Sequence, residues 1–112
     1  MTTIADIQEH LNTEGLDFIS YYDFDLQLIN SIEIKRFQQT VTKIVLPYSD
    51  TLVPLYEVLD CFSDLYNIDL PRKHPMQYLR DIDSYDEFRA YQQDMITKAT
   101  QEWCKAHNIP LS

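Results

Sequence analysis

The sequence predicts an α+β fold, because it contains both hydrophobic periodicities that distinguish strands from helices. Residues 22–28 alternate apolar and polar side chains, and residues 32–35 continue the alternation, which is typical of half-buried strands. Residues 51–66 and 84–107 instead repeat apolar side chains every three or four positions, as amphipathic helices do. We therefore expect a short N-terminal helix, a small antiparallel hairpin or meander, and C-terminal helices packed on the sheet.

The first element is a short amphipathic helix predicted over residues 3–14. Thr3 suits the N-cap, and Asp6 places a carboxylate near the positive end of the helix dipole. The apolar stripe would consist of Ile4, Ile7 and Leu11. Gly15, the only glycine in the chain, is expected to stop this helix.

The alternating segment predicts a hairpin with a three-residue loop at 29–31. The cross-strand pairs would then be Leu28–Ile32, Leu26–Ile34, Gln27–Glu33 and Asp25–Lys35. Residues 40–46 are rich in β-branched side chains and predict a third strand. The alternative is a helix over residues 30–45, capped by Asn30 and Glu33, which would make the chain an all-α bundle.

Helices are predicted for most of the second half of the chain. The stripe over residues 51–66 is formed by Leu52, Leu55, Leu59, Phe62 and Tyr66. A loop over 67–75 and a short helical turn over 76–80 follow. Ser84 and Glu87 predict a capping box at the start of the last helix. Its apolar face would be Phe88, Tyr91, Met95, Ala99, Trp103 and Ala106, and His107 to Pro110 would close it.

The predicted elements imply one domain over residues 1–112, since domains of about 100–150 residues are the most common. The core would be formed by Ile7, Leu11, Phe24, Leu26, Leu28, Ile34, Leu55, Leu59, Phe62, Phe88, Tyr91, Met95 and Trp103.

The chain is strongly acidic, with 18 Asp and Glu residues against nine Lys and Arg residues, for a net charge of −9. This charge argues against direct binding to nucleic acid or to an anionic membrane, because both attract cationic side chains. The excess is uneven: residues 1–34 and 44–71 contain no Lys or Arg, whereas residues 72–112 are neutral. The charge therefore predicts an acidic surface in the first 71 residues.

The predicted helix over residues 51–66 carries a row of acidic residues opposite its apolar stripe. Glu57, Asp60 and Asp64 are three and four residues apart, so their side chains are neighbours on one helix face. Like charges this close disfavour the helix slightly, so they serve either solubility or a basic partner. The candidate partner-binding residues are Asp23, Asp25, Glu57, Asp60, Asp64, Tyr22 and Tyr56.

No pattern in the sequence predicts a catalytic, cofactor or metal site. A single glycine excludes the glycine-rich loops that bind nucleotide phosphates. The pairs Asp23–Asp25 and Asp81–Asp83 lack a third acidic ligand at a suitable spacing. Cys104 and His107 supply only half of a zinc site. We therefore expect a protein that is not an enzyme and that needs no cofactor or metal.

The start of the chain and its cysteines indicate a cytoplasmic protein. Met1 is followed by Thr2, Thr3, Ile4, Ala5 and Asp6, which is not the pattern of a signal peptide. Cys61 and Cys104 could pair, but two thiols without a leader are more often free and buried.

These observations support two functional hypotheses. The first is a non-enzymatic inhibitor whose acidic face binds a basic groove of a nucleic-acid-binding enzyme by imitating a phosphate backbone. In size and charge the chain is similar to small acidic inhibitors from phages and mobile elements, such as anti-restriction and anti-CRISPR proteins. The alternative is an acidic adaptor, immunity-type or assembly protein that binds through apolar and aromatic contacts. Either could form homo-oligomers.

Overall fold

A computed structural model describes residues 2–13 and 15–111, and it has the predicted α+β fold. The elements are α1 (Ile4–Glu9), β1 (Phe18–Asp23), β2 (Leu28–Glu33), a 3₁₀ turn (Ile34–Arg36), β3 (Lys43–Val45), α2 (Ser49–Leu52), α3 (Leu55–Tyr66), α4 (Pro75–Asp81) and α5 (Tyr85–Ala106). The described residues form three strands, so the all-α alternative is wrong.

Helix α1 begins as predicted but ends early. The N–H of Thr3 donates to the Asp6 carboxylate at 2.9 Å, and the N–H of Asp6 donates to the Thr3 hydroxyl, which together form a capping box. The helix ends at Glu9 rather than at Gly15, because the chain leaves it to place Asn12 beside the sheet. Gly15 instead adopts a φ of 85° in the connection to β1.

The predicted hairpin register is wrong, because the turn lies at residues 24–27 rather than at 29–31. The Asp23 carboxylate accepts hydrogen bonds from the N–H groups of Asp25 and Leu26, and Gln27 takes the left-handed conformation with a φ of 54°. The predicted loop therefore lies within β2. The β1–β2 pairs are Phe18–Glu33, Ile19–Ile32, Ser20–Ser31, Tyr21–Asn30, Tyr22–Ile29 and Asp23–Leu28.

The third strand is confirmed over Lys43–Val45, and it pairs antiparallel with β1. The resulting strand order is β2-β1-β3, so β1 is central, whereas a meander of consecutive strands would have β2 in the middle. Both β2 and β3 are edge strands.

The helical half follows the predicted periodicity with two corrections. Pro54 separates α2 from α3, and the buried face of α3 is centred on Val58 and Phe62. The Ser84 side chain forms no capping hydrogen bond, because its ψ of 5° is not the extended conformation of an N-cap. Helix α5 ends at Ala106 with His107 as its C-cap, as predicted.

Two hydrophobic clusters hold the chain together. The sheet core contains the buried residues Ile7, Tyr22, Leu46, Cys104 and Ile109. The helical core contains Val53, Val58, Phe62, Leu79 and Phe88. Helix α5 contributes Phe88 to one and Cys104 to the other, so it links the two clusters.

Several predicted core residues are not part of either cluster. Leu26, Leu28, Ile34 and Leu55 are exposed. The three from the hairpin are exposed because the turn lies closer to the N-terminus than predicted, so that every cross-strand partner differs from the prediction. Ile7, Phe62 and Phe88 are fully buried, as predicted.

The molecule is elongated, with principal extents of 48 × 30 × 18 Å. Its radius of gyration is 16.6 Å, compared with about 13 Å for an ordinary domain of about 100 residues. Its accessible surface is 7797 Å², compared with about 6500 Å² expected for a compact monomer of 13.3 kDa. None of the helices in residues 2–13 and 15–111 combines the length and the apolar character needed to cross a bilayer.

Candidate functional site

The candidate site is the outward side of α3. Val58 and Phe62 are fully buried in the helical core and fix the rotation of the helix. Helical periodicity then places Glu57, Asp60 and Asp64 on the opposite side, where all three are exposed. We call these three residues the acidic face.

The acidic face is not neutralised within the chain. In the described residues, no ion pair joins Glu57, Asp60 or Asp64 to a basic side chain. Basic side chains with a defined contact lie on neutral groups instead: Lys43 on the Tyr21 ring, Arg80 on the Tyr85 ring and Arg89 on Gln92. The carboxylates of the acidic face are therefore free to meet cations of another molecule.

A groove of about 250 Å³ adjoins the acidic face. Tyr56 and Asp60 line it from α3, and Asp69, Pro71 and Arg72 line it from the following loop. Two carboxylates against the one guanidinium of Arg72 leave the lining with a net negative charge. With the aromatic ring and the apolar walls, this lining suits an arginine or lysine side chain, whose stem is apolar and whose end is cationic.

The loop reaches this position because α3 ends in a tight reversal. Asn67 adopts the left-handed conformation with a φ of 53° and donates its N–H to Ser63. The N–H of Ile68 also donates to the Ser63 carbonyl at 3.0 Å, and the Ser63 hydroxyl donates to the Ile68 carbonyl. The chain therefore reverses after the helix, so that Asp69 and Asp60 line the same groove.

The structure gathers four of the seven predicted site residues on α3: Tyr56, Glu57, Asp60 and Asp64. Tyr56 is 67% exposed, so its ring is accessible for contact. Tyr22 is only 1% exposed, because it packs in the sheet core, and burial raises the pKa of its hydroxyl. It is therefore not a surface anchor.

The other two predicted residues lie at the β1–β2 connection. Asp23 ends β1 and is 7% exposed, and its carboxylate accepts the turn hydrogen bonds, so it is a structural residue. Asp25 is exposed, but it lies in the β1–β2 turn rather than on α3. The candidate site is therefore the acidic face with Tyr56.

Sequence reasoning did not assign Asp69 and Arg72 to this site. Asp69 falls in the base-free stretch of residues 44–71, which signals acidity but not position. The signal that could have located both was Asn67, because asparagine at the end of a helical pattern is a common left-handed cap.

The candidate metal and thiol groups are dispersed. Cys104 is buried in the sheet core, where desolvation raises its pKa, whereas His107 is exposed with its ring 4.6 Å from that of Trp103. Cys61 is exposed on α3, contrary to the expectation of burial, and both thiols are free. Across the described residues, no three His, Cys, Asp or Glu side chains are arranged to hold a metal ion.

Comparison with known proteins finds no relative for this chain. It matches no protein family, and neither the curated proteins nor the solved structures contain a significantly similar chain. The acidic face and its groove are therefore the features of this chain that bear on its function.

Proposed function

We propose that this chain is a non-enzymatic inhibitor that binds the basic groove of a nucleic-acid-binding enzyme. The acidic face takes the place of a phosphate backbone, and the adjacent groove receives a basic side chain of the target. The observation that carries this proposal is the row of three exposed carboxylates on α3 that no basic side chain of the described residues neutralises.

The spacing of the row supports phosphate mimicry. Side chains three and four residues apart on a helix are about 5–6 Å apart at Cβ, so the row is a dense line of negative charge. Each DNA strand carries one charge per about 3.4 Å of helix axis, which is a spacing of similar order. A groove that binds such a strand presents Lys and Arg side chains that also fit carboxylates.

The extended shape supports a role in binding. The chain exposes about 1300 Å² more surface than the compact monomer expected for its mass. This excess is larger than the roughly 800 Å² that each partner contributes to a specific interface of standard size. We place its action in the cytoplasm of a cell that carries a phage or mobile element, the setting in which inhibitors of this size and charge act.

A second function is favoured by apolar side chains on the same helix. Tyr56, Leu65 and Tyr66 are exposed on α3, and aromatic residues are enriched at protein interfaces. An adaptor, immunity-type or assembly protein would use these side chains and would keep its acidic residues for solubility. Its binding would resist salt, whereas binding through the acidic face would not.

Capture from a cell lysate separates the two functions. Immobilised wild-type chain is compared with the triple variant Glu57→Lys, Asp60→Lys and Asp64→Lys at about 0.1 M and about 1 M salt. The matched control is Glu9→Lys, Asp94→Lys and Glu102→Lys, which makes the same change in net charge at exposed positions on α1 and α5. Captured proteins are identified by mass spectrometry.

The proposal predicts a nucleic-acid-binding enzyme that the wild-type chain and the control capture at low salt and release at high salt. The triple variant should capture at least about tenfold less, because three contacts become repulsive. Equal capture by all three chains would contradict the proposal. Capture that survives high salt and is lost in Tyr56→Ala would favour the adaptor.

A further inference from the structure

The outer edge of β2 is open to pairing with another strand. Strand order β2-β1-β3 leaves this six-residue strand at the border of the sheet. In an antiparallel ladder, alternate residues bond to opposite neighbours. The N–H of Ile34 donates to Asp17 on the β1 side, so the even-numbered residues of this segment bond inward. The backbone groups of Ile29, Ser31 and Glu33 consequently point away from the sheet.

A second contact supports this orientation. The N–H of Ser31 donates to the side-chain oxygen of Asn30 at 2.9 Å, and not to a strand. Its neighbour Asn30 also donates to the Tyr21 hydroxyl at 3.1 Å, so its side chain is held over the sheet. If a second strand pairs with β2, the N–H of Ser31 can donate to a backbone carbonyl of that strand instead of to the Asn30 side chain.

The edge lacks the features that usually block edge pairing. Natural edges carry lysine, proline or inward-pointing charges. Strand β2 contains no lysine and no proline, and its single charged side chain, Glu33, is its last residue. Leu28 is 41% exposed on this edge, and Ile32 is partly exposed.

The charges that flank the edge have opposite signs at its two ends. Asp25 precedes β2, whereas Lys35 and Arg36 follow it, and all three are exposed. Two such edges that run antiparallel would bring the β1–β2 turn of each copy, which carries Asp25, toward the 3₁₀ turn of the other, which carries Lys35. Asp25 and Lys35 are complementary in charge, and Leu28 and Ile32 are both apolar. Neither pair forms within the chain, because β2 pairs with β1 there.

We propose that β2 docks on β2 of a second copy of this chain, antiparallel about a two-fold axis at Asn30. Ile29 of each copy then faces Ser31 of the other, and both project outward, so they can exchange N–H···O=C bonds. Leu28 faces Ile32 of the second copy on one side of the sheet. The charges of residues 25–36 sum to zero, so this edge adds no local excess of negative charge where two acidic chains meet. The dimer has a continuous six-stranded sheet and leaves α3 free.

A charge swap tests this pairing by sedimentation equilibrium of the full chain up to about 1 mM, the upper range of weak, small interfaces. The wild-type chain is expected to dimerise reversibly. Asp25→Lys and Lys35→Asp should each weaken the dimer by about tenfold, because the symmetry places two like-charge contacts in every dimer. The double variant should recover the wild-type dissociation constant to within about threefold, because both contacts are attractive again.

A proline on the edge provides an independent test. Ser31→Pro removes an outward N–H that β1 does not use, so it should abolish the dimer and leave the far-ultraviolet circular dichroism unchanged. A monomeric wild-type chain at all concentrations would overturn the proposal and leave the edge for a strand of another protein. A double charge variant as weak as the single variants would also overturn it, as would a folded proline variant that dimerises normally. If the proline variant does not fold, the charge swap alone decides.

Discussion

The two ends of this molecule are stabilised in different ways. The helical core joins residues that lie within a short stretch of sequence, from Val53 to Phe88. The sheet core joins Ile7 near one end of the chain to Ile109 near the other. Helical packing is thus built mainly from local periodicity, whereas the sheet end needs contacts that span almost the whole chain.

The two ends also present different surfaces. The helical end presents the acidic face, which offers unpaired charge. The sheet end presents the β2 edge, which offers backbone groups outside any strand ladder of the described residues, and little charge. The proposed binding to a basic partner and the proposed self-association therefore use separate parts of one chain, and variants at one surface should leave the other intact.

The largest expected effect is on the helical core. Phe62→Ala should lower the free energy of unfolding by about 3–5 kcal/mol, because Phe62 is fully buried and its ring packs edge-on against that of Phe88, with the ring centroids 5.3 Å apart. Urea denaturation followed by circular dichroism measures this change. The matched control is Leu65→Ala, whose side chain is 64% exposed, so its stability should stay within about 0.5 kcal/mol of wild type. Equal losses in the two variants would contradict the burial of Phe62 in the helical core.

A smaller loss in the free energy of unfolding is expected when the hydrogen bonds of the buried Asn12 side chain are removed from the sheet end. The Asn12 side chain donates to the carbonyls of Ser20 and Leu46 and accepts from the N–H of Ser20 at 2.7 Å. Asn12→Ala should destabilise the chain by about 1–3 kcal/mol, since buried backbone groups lose their partners. Hydrogen exchange of the Ser20 amide should accelerate more than that of amides in α3. Gln38→Ala, an exposed change, is the control, and unchanged exchange at Ser20 would show that the link is not stabilising.

The smallest expected effect is a pH dependence at α1. The hydrogen bond from the Thr3 N–H lowers the pKa of Asp6 below its ordinary value of 3.8. A lowered pKa in the folded state stabilises the chain above pH 3.8, and this contribution is lost as the pH falls through the folded value. Asp6→Asn should therefore unfold at a lower temperature than wild type at pH 7, and the difference should vanish in strong acid. A difference that stays constant from neutral pH to pH 2 would contradict the assignment.

The difference between the two ends explains which features of the fold could be predicted from the sequence. The turns of α3 and α5 follow from apolar spacing, so the acidic face could be located before the structure. The hairpin register could not, because Asp23 and Asp25 alternate with apolar residues like a strand. In the structure, the Asp23 carboxylate instead accepts the N–H groups of a turn.

The lining of the groove also could not be predicted from the sequence. Asp60 was predicted from its place on a helix, but Asp69 and Arg72 join it only because Asn67 reverses the chain. A left-handed residue at one position decides which loop lies against α3, and periodicity carries no information about that reversal.

We propose that the acidic face occupies a nucleic-acid groove of its partner. The most direct measurement is competition for the captured enzyme between the purified chain and duplex DNA or RNA of that enzyme's substrate class. If the acidic face occupies that groove, the apparent inhibition constant rises linearly with nucleic-acid concentration, and the triple Lys variant loses inhibition while the charge-matched control keeps it. Inhibition that is independent of nucleic-acid concentration, or that is equal for the triple variant, would contradict it.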